Sequence, residues 1–135
     1  MSSLPSISDA EWEVMNLLWA SIPDRLTAAD VVAGVSGRND WSPRTVKTLL
    51  NRLVKKKAIT FDVDGNRYLY YPAIKRDECV RSETRSFLNR VFGGATGPML
   101  AHFVSQSKLS SQEIAELKRL LADKQQRDRS REKPS

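Results

Sequence analysis

The chemistry of this chain is concentrated between Trp41 and Phe61. There Arg44, Lys47, Arg52, Lys55, Lys56 and Lys57 meet no aspartate or glutamate, a local excess of six charges that equals the +6 of the whole 135-residue chain. At 100° per residue, Val46, Leu49, Leu50, Leu53 and Val54 fall on one side of a helix, and Arg44, Lys47, Thr48, Asn51 and Lys55 on the other. Such a segment packs with one face and offers guanidinium, ammonium, hydroxyl and carboxamide groups to a polyanion with the other. In the major groove of DNA, the residues near its start, Arg44, Thr45, Lys47 and Thr48, would reach base edges. Arg or Lys can pair with guanine N7 and O6, and a Thr methyl can pack on the thymine methyl. Asn51, Arg52, Lys55, Lys56 and Lys57, further along, suit phosphate oxygens.

Other chemistries have little to stand on. The chain has one histidine, His102, and one cysteine, Cys79. That excludes a disulfide within one chain and falls short of a metal-ligand set. No glycine-rich phosphate loop or paired-carboxylate pattern occurs, so neither an enzyme nor a cofactor or metal is expected. No apolar run approaches the roughly 20 residues needed to span a bilayer, and the N-terminus lacks the pattern of a signal peptide. A soluble, cytoplasmic protein is expected, and an isoelectric point near 9.7 makes nucleic acid its first expected partner.

The elements that must position the basic helix can be read around it. Ser8-Asp9-Ala10-Glu11 is a capping box that opens a helix from Asp9 to about Ala20, with Trp12, Met15, Leu18 and Trp19 as its buried stripe. Pro23-Asp24 breaks it, and Arg25-Leu26 leaves room for a very short strand. Thr27 to Asp30 caps a second helix that runs to about Val35, and Gly37-Arg38-Asn39-Asp40 forms a loop. Ser42 then caps the basic helix, with Pro43 at its first position, where no amide hydrogen is needed. After Lys57 the period changes to two. Ile59 to Val63 and Arg67 to Tyr71 read as strands joined at Asp64-Gly65-Asn66, with Arg67 beside the tip, in reach of phosphate or minor groove. Two helices, a basic third helix and a hairpin spell a winged helix-turn-helix, so the fold class is mainly α (α+β).

Beyond Pro72 a longer helix spans Lys75 to Phe92 and stops at Gly93-Gly94. Pro98 to Val104 is a short apolar helix, and Ser110-Ser111-Gln112-Glu113 opens another. Their apolar residues, Phe87, Leu88, Val91, Leu100, Phe103, Ile114, Leu117, Leu120 and Leu121, make no comfortable core for one chain. They are expected to face a second copy in a homodimer; packing back on the N-terminal domain is the competing reading. The expected division is a DNA-binding domain at 1–73, a helical dimerization domain at 74–123 and a polar, unstructured tail at 124–135.

These motifs, taken in order, resemble the penicillinase repressors, the BlaI/MecI-type transcriptional regulators. The markers are Ile7-Ser8-Asp9-Ala10-Glu11-Trp12-Glu13-Val14-Met15 with Leu18-Trp19, then Thr45 to Leu53, Tyr68-Leu69-Tyr70-Tyr71-Pro72, and Phe92-Gly93-Gly94. The resemblance implies a homodimer on palindromic double-stranded DNA operators with TACA and TGTA half-sites, controlling β-lactamase or related antibiotic resistance genes. It also implies release by proteolysis in the dimerization region, triggered indirectly by a membrane-bound β-lactam sensor. By position the cut bond would join His102 to Phe103, although relatives typically carry Asn where this chain has His102. Copper-responsive relatives carry paired C-terminal cysteines, which this chain lacks. The residues themselves leave open a winged helix that contacts protein or RNA, or a repressor of an unrelated operon.

Overall fold

Each of the first three helices starts at a side-chain cap in a computed structural model that describes residues 4–37 and 40–132. Helix α1 (Asp9–Ser21) opens on the Ser8–Glu11 box: the Glu11 amide donates to Ser8 Oγ at 3.2 Å, and Glu11 Oε1 accepts from the Ser8 amide at 2.8 Å. Helix α2 (Ala28–Val35) repeats the device with Thr27 and Asp30. Helix α3 (Pro43–Lys55) starts from Ser42, whose hydroxyl accepts from the Thr45 amide at 3.2 Å, with proline in its first turn. These caps satisfy amides that no helix can satisfy for itself. Of the loop expected at 37–40, Arg38 and Asn39 lie outside the described residues.

The apolar stripes of the three helices meet in one core. Val14, Met15 and Leu18 of α1, Val31 and Val35 of α2, and Val46, Leu49, Leu50 and Leu53 of α3 are all buried. The four from α3 contribute roughly 1.5–3 kcal/mol each, enough to hold the helix by its apolar side alone. Trp12 and Trp19 pack against this core with ring centroids 5.7 Å apart, and Trp19 Nε1 donates to the Ile74 carbonyl at 3.0 Å.

Helix α3 ends in a Schellman turn. The Ala58 amide donates to the Leu53 carbonyl and the Lys57 amide to the Val54 carbonyl, both at 3.0 Å, while Lys57 takes the left-handed conformation at φ 64°. That turn stops the helix at Lys55, two residues before Lys57. Strands β1 (Ile59–Asp64) and β2 (Arg67–Pro72) follow as an antiparallel pair, with Ile59 opposite Pro72, Phe61 opposite Tyr70 and Val63 opposite Tyr68. The expected third strand is a single bridge, in which Leu26 exchanges both hydrogen bonds with Tyr70. It pins the hairpin to the start of α2.

Helix α4 (Arg76–Phe92) belongs to both of the compact units into which the chain divides, Met1–Arg85 and Ser86–Ser135. The division falls later than the expected 73/74, because Ile74 and Cys79 still pack on the first core. The second unit holds the end of α4 with α5 (Thr96–Gln106) and α6 (Ser111–Glu132). Phe87 stacks on Phe103 at 6.1 Å and meets Phe92 edge-on at 6.0 Å, and Met99 is buried. Helix α6 continues through residues 124–132, where an unstructured tail was expected. Lys, Arg and Gln are good helix formers, and Lys124 lies 3.5 Å from Asp128 one turn on. A lack of apolar residues argues against packing, not against helix.

Candidate nucleic-acid interface

The caps and the buried stripe together decide which side of α3 faces outward. Arg44, Thr45, Lys47, Thr48, Asn51, Arg52 and Lys55 are all exposed, and they occupy one continuous face. Thr48 Oγ1 donates to the Arg44 carbonyl at 3.0 Å, a local bond that holds the side chain in one rotamer. Thr45 shares its hydroxyl with Ser42 at 3.1 Å, so part of its polar capacity serves the cap. Among the described residues Arg44, Lys47, Arg52 and Lys55 have no ion-pair partner, which leaves their charge for a ligand.

Two residues expected in this set are placed elsewhere. Lys56 Nζ is bound to Glu11 Oε1 and to the Ser6 carbonyl, at the C-terminal end of α3 and against α1. The carboxylate it meets is buried, so this lysine is committed to the fold. Arg67 donates to Asp64 Oδ2 at 2.8 Å across the hairpin tip, an exposed pair that shares its charge with a carboxylate. The next acid of the same strand, Asp62, is ion-paired with Arg25, whose guanidinium lies 4.1 Å from the Tyr71 ring centroid.

A feature that sequence reasoning missed lies between α3 and the hairpin. A cleft of about 720 Å³ is lined by Lys47 and Asn51 of α3, Asn66 and Tyr68 of the hairpin, and Thr27 and Asp30 at the start of α2. Tyr68 is half exposed and stacks on Phe61 with centroids 4.1 Å apart. The signal was present in the strand period: Val63 and Tyr68 continue the apolar face of Ile59, Phe61 and Tyr70 beyond the end of the core.

No cluster of histidine, cysteine or acidic residues able to hold a metal occurs among the described residues. Burial, and then the neighbouring Glu78, push the Cys79 thiol up, which keeps it protonated and unreactive. Among the described residues no helix is long and apolar enough to cross a membrane.

A three-helix core with a capped basic third helix and a two-stranded wing is the winged-helix architecture of DNA-binding regulators. The chain belongs to the penicillinase repressor family, whose sequence profile matches residues 7–123. It is 35% identical to the penicillinase repressor of Bacillus licheniformis over 94% of this chain and 98% of that one. It is 34% identical to the methicillin resistance regulatory protein MecI of Staphylococcus aureus strain N315, over 87% of this chain and 94% of that one. Among solved structures it resembles the DNA-binding domain of the repressor BlaI, with 36% identity and a TM-score of 0.51. That likeness covers 58% of this chain and 93% of the other.

Proposed function

We propose that this chain is a homodimeric, sequence-specific transcriptional repressor of the cytoplasm that binds palindromic operator DNA and controls β-lactamase or related resistance genes. The observation that carries the reading is the outward face of α3, where Arg44, Lys47, Arg52 and Lys55, without an ion-pair partner among the described residues, accompany Thr48 and Asn51 on a helix held from behind. Arg44, Thr45, Lys47 and Thr48 read base edges; Asn51, Arg52 and Lys55 hold phosphates. The second unit pairs two copies through side chains that one chain leaves uncovered, among them Phe103, Leu117, Leu120 and Leu121.

Release follows from proteolysis in that second unit. His102 and Phe103 are exposed but lie inside α5, and a protease needs extended backbone, so α5 must open locally before the bond between them is cut. Loss of everything after His102 removes α6 and with it much of the dimer surface.

The test is fluorescence anisotropy on a duplex carrying TACA and TGTA half-sites against a scrambled duplex, titrated with salt. Selective binding that persists at moderate salt is expected. Equal affinity for both duplexes at every salt concentration overturns the reading.

A further inference from the structure

The acids of the wing, Asp62 and Asp64, are ion-paired with Arg25 and Arg67, so the one cation of the hairpin is shared with a carboxylate. What the wing also offers is apolar. Val63 is 65% exposed and Tyr68 48% exposed, directly opposite each other in the register. Paired residues across an antiparallel ladder share a face, and this face buries Ile59 and Tyr70 at its base. The strands are longer than the core beneath them, so the core-facing side overruns the helices and continues as an open apolar surface. Tyr68 there shares a cleft with Lys47 and Asn51, two residues of the outward face of α3.

We propose that Val63 and Tyr68 form an uncharged DNA contact in which the isopropyl group and the phenol ring pack on deoxyribose at the edge of the half-site read by α3. The inference rests on the DNA-binding reading above. Deoxyribose is the apolar part of a DNA strand, and it lines the groove walls beside the phosphates that cations hold. A protein partner fits less well. Two side chains are far below the roughly 800 Å² that each side of a stable protein interface buries, and the same cleft carries a lysine and two carboxamides.

Hydroxyl-radical footprinting reads sugar accessibility directly. With the wild-type dimer on its operator, protected sugars are expected in an inner set beside α3 and an outer set under the wing. Val63→Ser carries the decision, because so exposed a side chain can be changed without loosening the fold, as an unchanged thermal midpoint will verify. It is expected to lose the outer protection, keep the inner, and weaken binding roughly fivefold with the same salt slope, since no charge is altered. Tyr68→Phe is expected to keep the outer protection and Tyr68→Ala to lose it. Unchanged outer protection and affinity in Val63→Ser, with wild type still selecting its operator, overturns the wing contact and leaves the repressor reading intact. Failure of wild type to select the operator overturns both.

Discussion

Lys56 Nζ lies 2.5 Å from Glu11 Oε1 and joins the end of α3 to the start of α1 across 45 residues of sequence. Glu11 is 1% exposed, and its other oxygen, Oε2, has no partner among the described residues. One carboxylate thus closes the cap of α1 and anchors the last turn of the reading helix. Removing the lysine leaves a buried charge held only by Ser8, and Lys56→Ala is expected to cost about 2–3 kcal/mol of stability. Urea unfolding will measure it. An unchanged midpoint, with DNA affinity reduced instead, would return Lys56 to the phosphate contacts.

The same pair sets an acid limit on stability. Burial alone would raise the Glu11 carboxyl, but the Lys56 ammonium and the amide and hydroxyl of Ser8 outweigh it and hold the group below its usual 4.5. A carboxylate with a lowered folded value stabilises the protein above the unfolded value, and this contribution disappears as pH falls through the folded one. Wild type is therefore expected to exceed Glu11→Gln in stability near neutral pH, with the gap closing below pH 4.5. A gap that stays constant on acidification would show that Glu11 acts through packing alone.

Lys57 occupies the left-handed position of the turn after α3, which glycine adopts without steric cost. Lys57→Gly is expected to raise stability by about 0.5–1 kcal/mol despite removing a charge. The thermal midpoint will decide, and a fall would mean that the lysine side chain makes a contact outweighing the strain.

Within α3 the proposed division of labour predicts two different losses. Lys47→Ala should weaken operator binding by about 1–3 kcal/mol and relax selectivity, whereas Lys55→Ala should weaken operator and random DNA alike and lower the salt slope by about 1. Matched binding isotherms on both duplexes separate these outcomes, and equal losses on both duplexes from Lys47→Ala would remove it from base readout.

The second unit leaves Leu117 and Leu121 of α6 exposed one helical turn apart. Leu117→Lys with Leu121→Lys is expected to give a monomer in sedimentation and a loss of about a hundredfold in operator affinity, because two linked grips become one. A dimer that persists would place the pairing surface elsewhere.

Much of this was legible in the residues, for a physical reason: local signals are local. The Ser8–Glu11 box, the Ser42-Pro43 start of α3 and the hairpin depend on neighbours a few positions apart, and all were placed by spacing. What spacing could not show was competition between distant groups. Lys56 counts as one more cation in a basic run until the fold brings Glu11 beneath it, and Arg67 reads as a free wing cation until the register sets Asp64 opposite. The strand period put Val63 and Tyr68 on the apolar face, but the cleft at Tyr68 emerges only where the strands outrun the core.

On the proposed dimer, the uncovered apolar side chains of α5 and α6, with Phe103, Leu117 and Leu120 each at least 40% exposed, would also shape the dose response of the regulated genes. Below the concentration at which chains pair, the active species grows as the square of chain number, so halving the chains leaves about a quarter of the dimers. A modest fall in repressor abundance, whether by slower synthesis or by destruction of some chains, is amplified before it reaches the promoter. On that reading the switch is steep because the single chain is left unfinished.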